Sequence, residues 1–169
     1  MIENVIPEIL DGERKKTALD FVAYMRGNKL KPVWTLTNTW KAMYKGKNLY
    51  HILLRNDEWK ETEQRWGKNA WLVKLYIFHT DKYYDQIMSE ELQNFIWDNI
   101  KYCTNCGGKC TPGHDAVILG KQIKGQCNVY PLVWAFDPNE AAIESIKRLL
   151  ELEMQARNEQ AKQSKESKK

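Results

Sequence analysis

At 169 residues the chain has room for one domain with a sizeable core, and too little for two ordinary ones. Its 43% hydrophobic and 28% charged content is that of a globular protein in water, and no apolar run approaches the ~20 residues a membrane helix needs, so no membrane partner is expected. Most of the formal charge of +4 lies at the end, where Arg157, Lys162, Lys165, Lys168 and Lys169 outnumber Glu159 and Glu166. A nucleic-acid-binding domain carries its basic excess as a patch on the folded body, so a nucleic-acid partner is not expected. The reading is a single α+β domain over residues 1–156 followed by a basic, disordered, solubilising tail over 157–169. Met1-Ile2-Glu3-Asn4 opens with an early acid and lacks the basic-then-apolar order of a secretory leader, so a cytoplasmic location with reduced thiols is expected.

The first predicted helix spans about 12–26, with Ala18, Phe21, Val22 and Met25 as its apolar stripe and Gly27-Asn28 as its stop. Extended chain follows over 34–54. Trp40, Ala42 and Tyr44 share one face, Lys45-Gly46-Lys47 turns the chain, and Tyr50, Ile52 and Leu54 resume the alternation, which predicts a hairpin. Residues 57–69 are polar and irregular. Trp71, Val73, Leu75 and Ile77 form the wholly apolar set of a third strand. A second helix is predicted over 89–101, starting as early as Asp81, with Leu92, Phe95, Ile96 and Ile100 buried. After a cysteine loop, 116–119 and 128–136 read as strands, the second an edge or bulged strand at Pro131. A last helix follows Asp137 as N-cap, with Pro138 in the first helical position and Glu140 completing a capping box. The expected fold class is therefore α+β, an antiparallel sheet of about five strands packed by three helices in the order α-β-β-β-α-(Cys loop)-β-β-α.

All four cysteines fall in one short stretch. Cys103-Thr104-Asn105-Cys106-Gly107-Gly108-Lys109-Cys110 holds three, and Cys127 follows. Cys-x-x-Cys-Gly-Gly has the shape of a zinc knuckle, in which two thiolates reach one ion and the glycines turn backbone N–H groups toward sulfur. Cys103, Cys106, Cys110 and Cys127 would make a tetrahedral thiolate set for Zn2+, with His114 as a substitute ligand. The spacing departs from two tight pairs, and buried inert thiols are the competing reading. A redox dithiol wants a helix N-terminus, whereas Cys103 follows a helix C-terminus, where the dipole opposes a thiolate.

Seven tryptophans and eight tyrosines are many for this length. Trp34 and Trp40 flank Thr35-Leu36-Thr37-Asn38-Thr39, Trp59, Trp66 and Tyr83 lie in or near predicted loops, and these five are the candidates to line a pocket for a flat or cationic ligand. The competing reading is that they cap the sheet. His51, His79 and His114 form no arrangement with a nucleophile that spacing reveals, and there is no phosphate-binding glycine loop. No catalytic residues are assigned.

From Trp34 onward the chain resembles a family of small uncharacterised bacterial proteins, a domain of unknown function. The residues behind the resemblance are Thr37-Asn38-Thr39-Trp40-Lys41, Trp71-Leu72-Val73-Lys74, the segment 103–113, Ile118-Leu119-Gly120-Lys121, Cys127 and Asp137-Pro138. The helix–strands–helix order is also similar to the YdhG and YjbR-like small α+β proteins. What this implies is a compact intracellular α+β fold with no assigned activity and no catalytic residues to carry over. The expectation for function is a non-enzymatic, cytosolic small-molecule-binding module with an aromatic-lined cleft and a structural zinc site. The alternatives are a cysteine-dependent enzyme or redox protein, and a protein-interaction adaptor that uses the basic tail.

Overall fold

Helices on one face of a twisted antiparallel sheet give the α+β architecture expected from the sequence. A computed structural model of the chain describes residues 1–55, 69–104, 112–127 and 132–166. The elements are α1 (Ile2–Ile9), α2 (Gly12–Gly27), β1 (Val33–Leu36), β2 (Thr39–Tyr44), β3 (Lys47–Leu54), β4 (Trp71–Leu75), α3 (Tyr84–Ser89), α4 (Leu92–Asp98), β5 (His114–Ile118), β6 (Lys121–Gln126), β7 (Val133–Phe136) and α5 (Glu140–Glu166). The sheet runs β1-β2-β3-β4-β7, every pair antiparallel, and β5-β6 is a separate hairpin.

Period-two alternation sorts the sheet into two unlike faces. On the helix side Trp40 faces Ile52, Ile52 faces Val73 and Val73 faces Ala135. The neighbouring row is Ala42, Tyr50, Leu75 and Val133, and all eight residues are buried. Onto these rows α2 packs Phe21, Val22 and Met25, while α5 packs Ile143, Ile146, Leu149, Leu150 and Leu152. Phe21 and Tyr50 bring their rings to 5.8 Å. On the other side Thr39, Leu53, Leu72 and Phe136 make one row, and Lys41, His51, Lys74 and Trp134 the next. Leu72 is fully buried in the first of these and belongs to this second face, outside the main core.

Several expectations need correcting. The extended run before Lys45 is two strands, because Asn38 takes a left-handed conformation (φ 52°) and turns β1 into β2. The helix expected over 89–101 is two short helices, broken at Glu91, also left-handed. Beyond the turn at Asn99, residues 100–103 make isolated strand bridges. Ile100 bridges Val133 at the outer edge of β7, and Tyr102 bridges Gln126 at the end of β6. This segment therefore splices the small hairpin to the main sheet.

Asp137 is not the N-cap of the last helix. The cap is Asn139, whose Oδ1 accepts from the Ala142 N–H at 2.9 Å. Asp137 instead accepts from the Ala70 and Trp71 N–H groups through Oδ1 and pairs with Arg14 through Oδ2. It clamps the start of β4 to the end of β7. The boundary drawn at 156/157 also falls inside an element, since α5 continues to Glu166 and Arg157 is 3% exposed. The hydrophobic count of 157–166 is low because its anchoring residue is a buried cation rather than an apolar side chain.

Candidate functional site

Two polar clusters and one cysteine ladder hold the chemistry among the described residues. The first cluster lies under α5. Glu153 is fully buried; its Oε1 accepts from Arg157 Nε at 2.8 Å and stands 2.9 Å from His79 Nδ1. Its Oε2 accepts from the Tyr83 hydroxyl and from the backbone N–H of Phe78 and His79. Burial opposes the charge of Glu153, but the bonds from Arg157, His79 and Tyr83 outweigh it and hold the carboxyl below its usual range. Arg157 donates through Nη1 to the carbonyls of Tyr44 and Lys47, and through Nη2 to those of Asn48 and Tyr76. All five guanidinium N–H bonds are thereby used. Burial and the neighbouring carboxylate push the Tyr83 hydroxyl well above its ordinary pKa. The cluster is closed and saturated, which makes it a structural tie between α5, the β2–β3 hairpin and the chain after β4.

The second cluster is the open-face row. Lys41 faces His51, His51 faces Lys74, and Lys74 faces Trp134. The Lys74 ammonium sits 3.9 Å from the centre of the Trp134 ring and that of Lys101 sits 4.7 Å from it. Trp134 and Phe136 hold their rings 6.1 Å apart and form the floor of a cleft of about 360 Å³. Its wall comes from Asp98 at the end of α4 and from Asn99, Lys101 and Tyr102 in the segment that follows. His51 is half-buried. Burial, then the charges of Lys74 and Lys41, lower its pKa to about 4. Tyr76 places its hydroxyl 3.4 Å from His51 Nδ1, while His51 Nε2 is buried and has no hydrogen-bond partner among the described residues.

The cysteine ladder adjoins that wall. Cys103 N–H donates to the Gly125 carbonyl at 2.8 Å, and Cys127 N–H donates to the Lys101 carbonyl at 2.9 Å. With Tyr102 opposite Gln126, strand alternation puts Cys103 and Cys127 on one face as diagonal neighbours. Cys127 is buried and Cys103 half-buried. Gly113 returns the chain to the same spot with φ 88°; a Cβ there would stand 2.6 Å from the Gln126 carbonyl oxygen and 2.9 Å from Cys103 Cβ. Cys106 and Cys110 lie outside the described residues. Among the described residues no group of three or more His, Cys, Asp or Glu side chains could hold a metal ion. His114 is exposed on β5, opposite Gln126.

The aromatic candidates do not converge. Trp34 is exposed on edge strand β1, directly across from Trp40, which is buried in the core. Tyr83 is buried beneath α5 against Glu153. Trp59 and Trp66 lie outside the described residues. The aromatic cleft that does exist is built by Trp134, Phe136 and Tyr102. Periodicity assigns the first two to a strand without giving their face, and Tyr102 lies just beyond the helix predicted over 89–101, next to the cysteine loop. The signal in the sequence was the pair of lysines at positions 74 and 101, which only the register brings onto one indole. No family model, no curated protein and no solved structure matches this chain. No helix among the described residues is long and apolar enough to cross a membrane.

Proposed function

We propose that the chain is a non-catalytic binding module that takes a flat small molecule in the cleft over Trp134 and Phe136. The observation that carries this is the combination of an aromatic floor, a wall with polar side chains such as Asp98, Asn99 and Thr104, and two ammonium groups within 5 Å of one indole. A volume of about 360 Å³ suits a compact ligand. A screen of aromatic fragments by NMR tests the reading. Hits should shift the Trp134 indole resonance and lose binding in Trp134→Leu. Hits confined to other tryptophans, or unaffected by that substitution, would overturn it.

We propose further that Cys103 and Cys127 join Cys106 and Cys110 in a structural zinc site that stiffens the cleft wall. The support is the ladder itself. Diagonal neighbours stand about 7–8 Å apart, which lets two thiolates share one ion at metal–sulfur distances of about 2.3 Å. Zinc would fix Tyr102 and Thr104 on either side of Cys103. Protein purified without chelator should carry one zinc per chain, and chelation should lower the melting temperature. Substoichiometric metal with four freely titrating thiols would remove the site and leave the cleft reading standing.

A further inference from the structure

We propose that the row formed by Lys41, His51 and Lys74 is an oxyanion subsite, which holds the phosphate of a ligand whose flat head lies on Trp134. The inference rests on the cleft reading above and adds the charge, length and direction of the ligand. The row continues the cleft floor across the sheet without a change of face, since each member stands directly opposite the next. It contains two lysines and a histidine and no acid. Lys41 makes no ion pair among the described residues, and its charge acts on His51 strongly enough to help keep the ring neutral.

The histidine supplies the directional donor. Assigning the Tyr76 hydroxyl, 3.4 Å from Nδ1, as the donor in this contact places the proton of the neutral ring on Nε2. That N–H is buried and has no partner among the described residues. A buried donor without an acceptor costs stability, and an oxyanion brought between Lys41 and Lys74 would satisfy it with a charge-assisted bond. Geometry then sets the ligand's length. Strands lie about 4.8 Å apart, so His51 stands about 10 Å from Trp134 and Lys41 about 14 Å. A planar head joined to its phosphates through a sugar-sized spacer covers that span, as in a nucleoside diphosphate; a phosphate attached directly to the ring does not.

The test uses the full-length chain and eight probes, the four common nucleosides and their 5′-diphosphates, followed by calorimetry. At least one diphosphate should bind about tenfold or more tightly than its own nucleoside. Lys41→Met and His51→Phe should each remove most of that advantage and leave the nucleoside affinity unchanged. Lys41 lies at the sheet surface, so its variant keeps the test open should His51→Phe fail to fold. A diphosphate that binds no more tightly than its nucleoside, or an advantage that survives Lys41→Met, overturns the subsite while the cleft reading stands. Binding by none of the eight probes also overturns the nucleotide-like ligand, and the fragment screen on Trp134 then decides the cleft independently. Retained diphosphate affinity in Trp134→Leu would instead break the link between row and cleft.

Discussion

The two faces of the sheet treat buried polarity in opposite ways. Under α5, Arg157 has spent every donor and Glu153 every strong acceptor position on groups of the same chain. Across the sheet, His51 keeps a buried nitrogen without a hydrogen-bond partner among the described residues, beside the Lys41 charge. Polar groups of the first kind specify a fold, because each is worth more paired than exposed and none has capacity to spare. Polar groups of the second kind cost stability for as long as they stay unpaired, and an incoming acceptor would recover that cost. The contrast separates the structural cluster from the candidate site more sharply than burial alone, since Trp40 and Tyr83 are nearly as buried as Glu153 and do not line the cleft.

The largest effect expected from breaking the contrast lies at the saturated end. Arg157→Met leaves a buried carboxylate without its cation and strips four carbonyls of their donor. Loss of one partner of a buried pair costs about 3–5 kcal/mol, and the carbonyls push this variant to the upper part of that range. Glu153→Gln should cost less, because the amide still accepts from Tyr83. In a simple buried ion pair, replacing both partners with apolar residues restores much of the loss. Here the double variant Glu153→Leu/Arg157→Met should not recover, because the carbonyls of Tyr44, Lys47, Asn48 and Tyr76 remain. Urea unfolding of the three variants measures this, and a double variant near wild-type stability would show that the cluster is an ion pair and nothing more. Acid sharpens the same point. Glu153 has a folded pKa below its unfolded value, so its contribution is present above the unfolded carboxyl range and is lost as pH falls through the folded pKa.

A smaller effect is expected where the chain enters α5. Asp137 accepts from two backbone N–H groups and pairs with a half-exposed Arg14. Asp137→Ala should cost about 1.5–3 kcal/mol, the range for hydrogen bonds to a charged group, whereas Asn139→Ala loses a cap worth about 1 kcal/mol. Asp137→Asn is the control, since Asn keeps the acceptor and tolerates the left-handed backbone at this position (φ 41°). Equal losses at 137 and 139 in thermal unfolding would return the cap to Asp137.

Much of the framework was legible in the sequence because its signals are local and periodic. The stripe of Phe21, Val22 and Met25, the alternation from Trp71 to Leu75 and the stripe from Ile143 to Leu150 each declare their element and their buried face. What was hidden depends on pairing across long separations. Nothing near Asp137 reveals that its partners are at 70 and 71, and nothing near Arg157 reveals four carbonyls more than 80 residues away. The left-handed conformations at Asn38 and Glu91 broke the chain at Thr37-Asn38-Thr39 and Ser89-Glu90-Glu91, short polar stretches that carry no glycine or proline to announce a turn. The site suffered most. Loop position was used to choose the aromatics, yet the cleft is made from a strand and a splice segment whose register alone brings Trp134, Lys74 and Lys101 together.

The smallest expected effect concerns the unsaturated end, and it reads the contrast from the proton side. His51 has a folded pKa of about 4, lowered by burial and then by Lys74 and Lys41, against about 6.5 for a free imidazole. Between those values the unfolded chain takes up a proton that the folded chain refuses, so stability falls as pH drops from about 6.5 to 4 and rises as pH is raised through the same window. Lys41, Lys74 and the Tyr76 hydroxyl are the groups facing the ring among the described residues, and none of them changes charge in this window in the free protein. His51→Gln should therefore flatten the unfolding midpoint over pH 4–6.5, and the difference between the two profiles isolates His51 from His79 and His114. The ring is only half-buried, so solvent screening keeps the slope below that of a fully enclosed histidine. A profile in His51→Gln that still falls as steeply as wild type would place the histidine's folded and unfolded pKa values together. The ring would then be an ordinary surface imidazole, and the two faces of the sheet would no longer differ in how they hold charge.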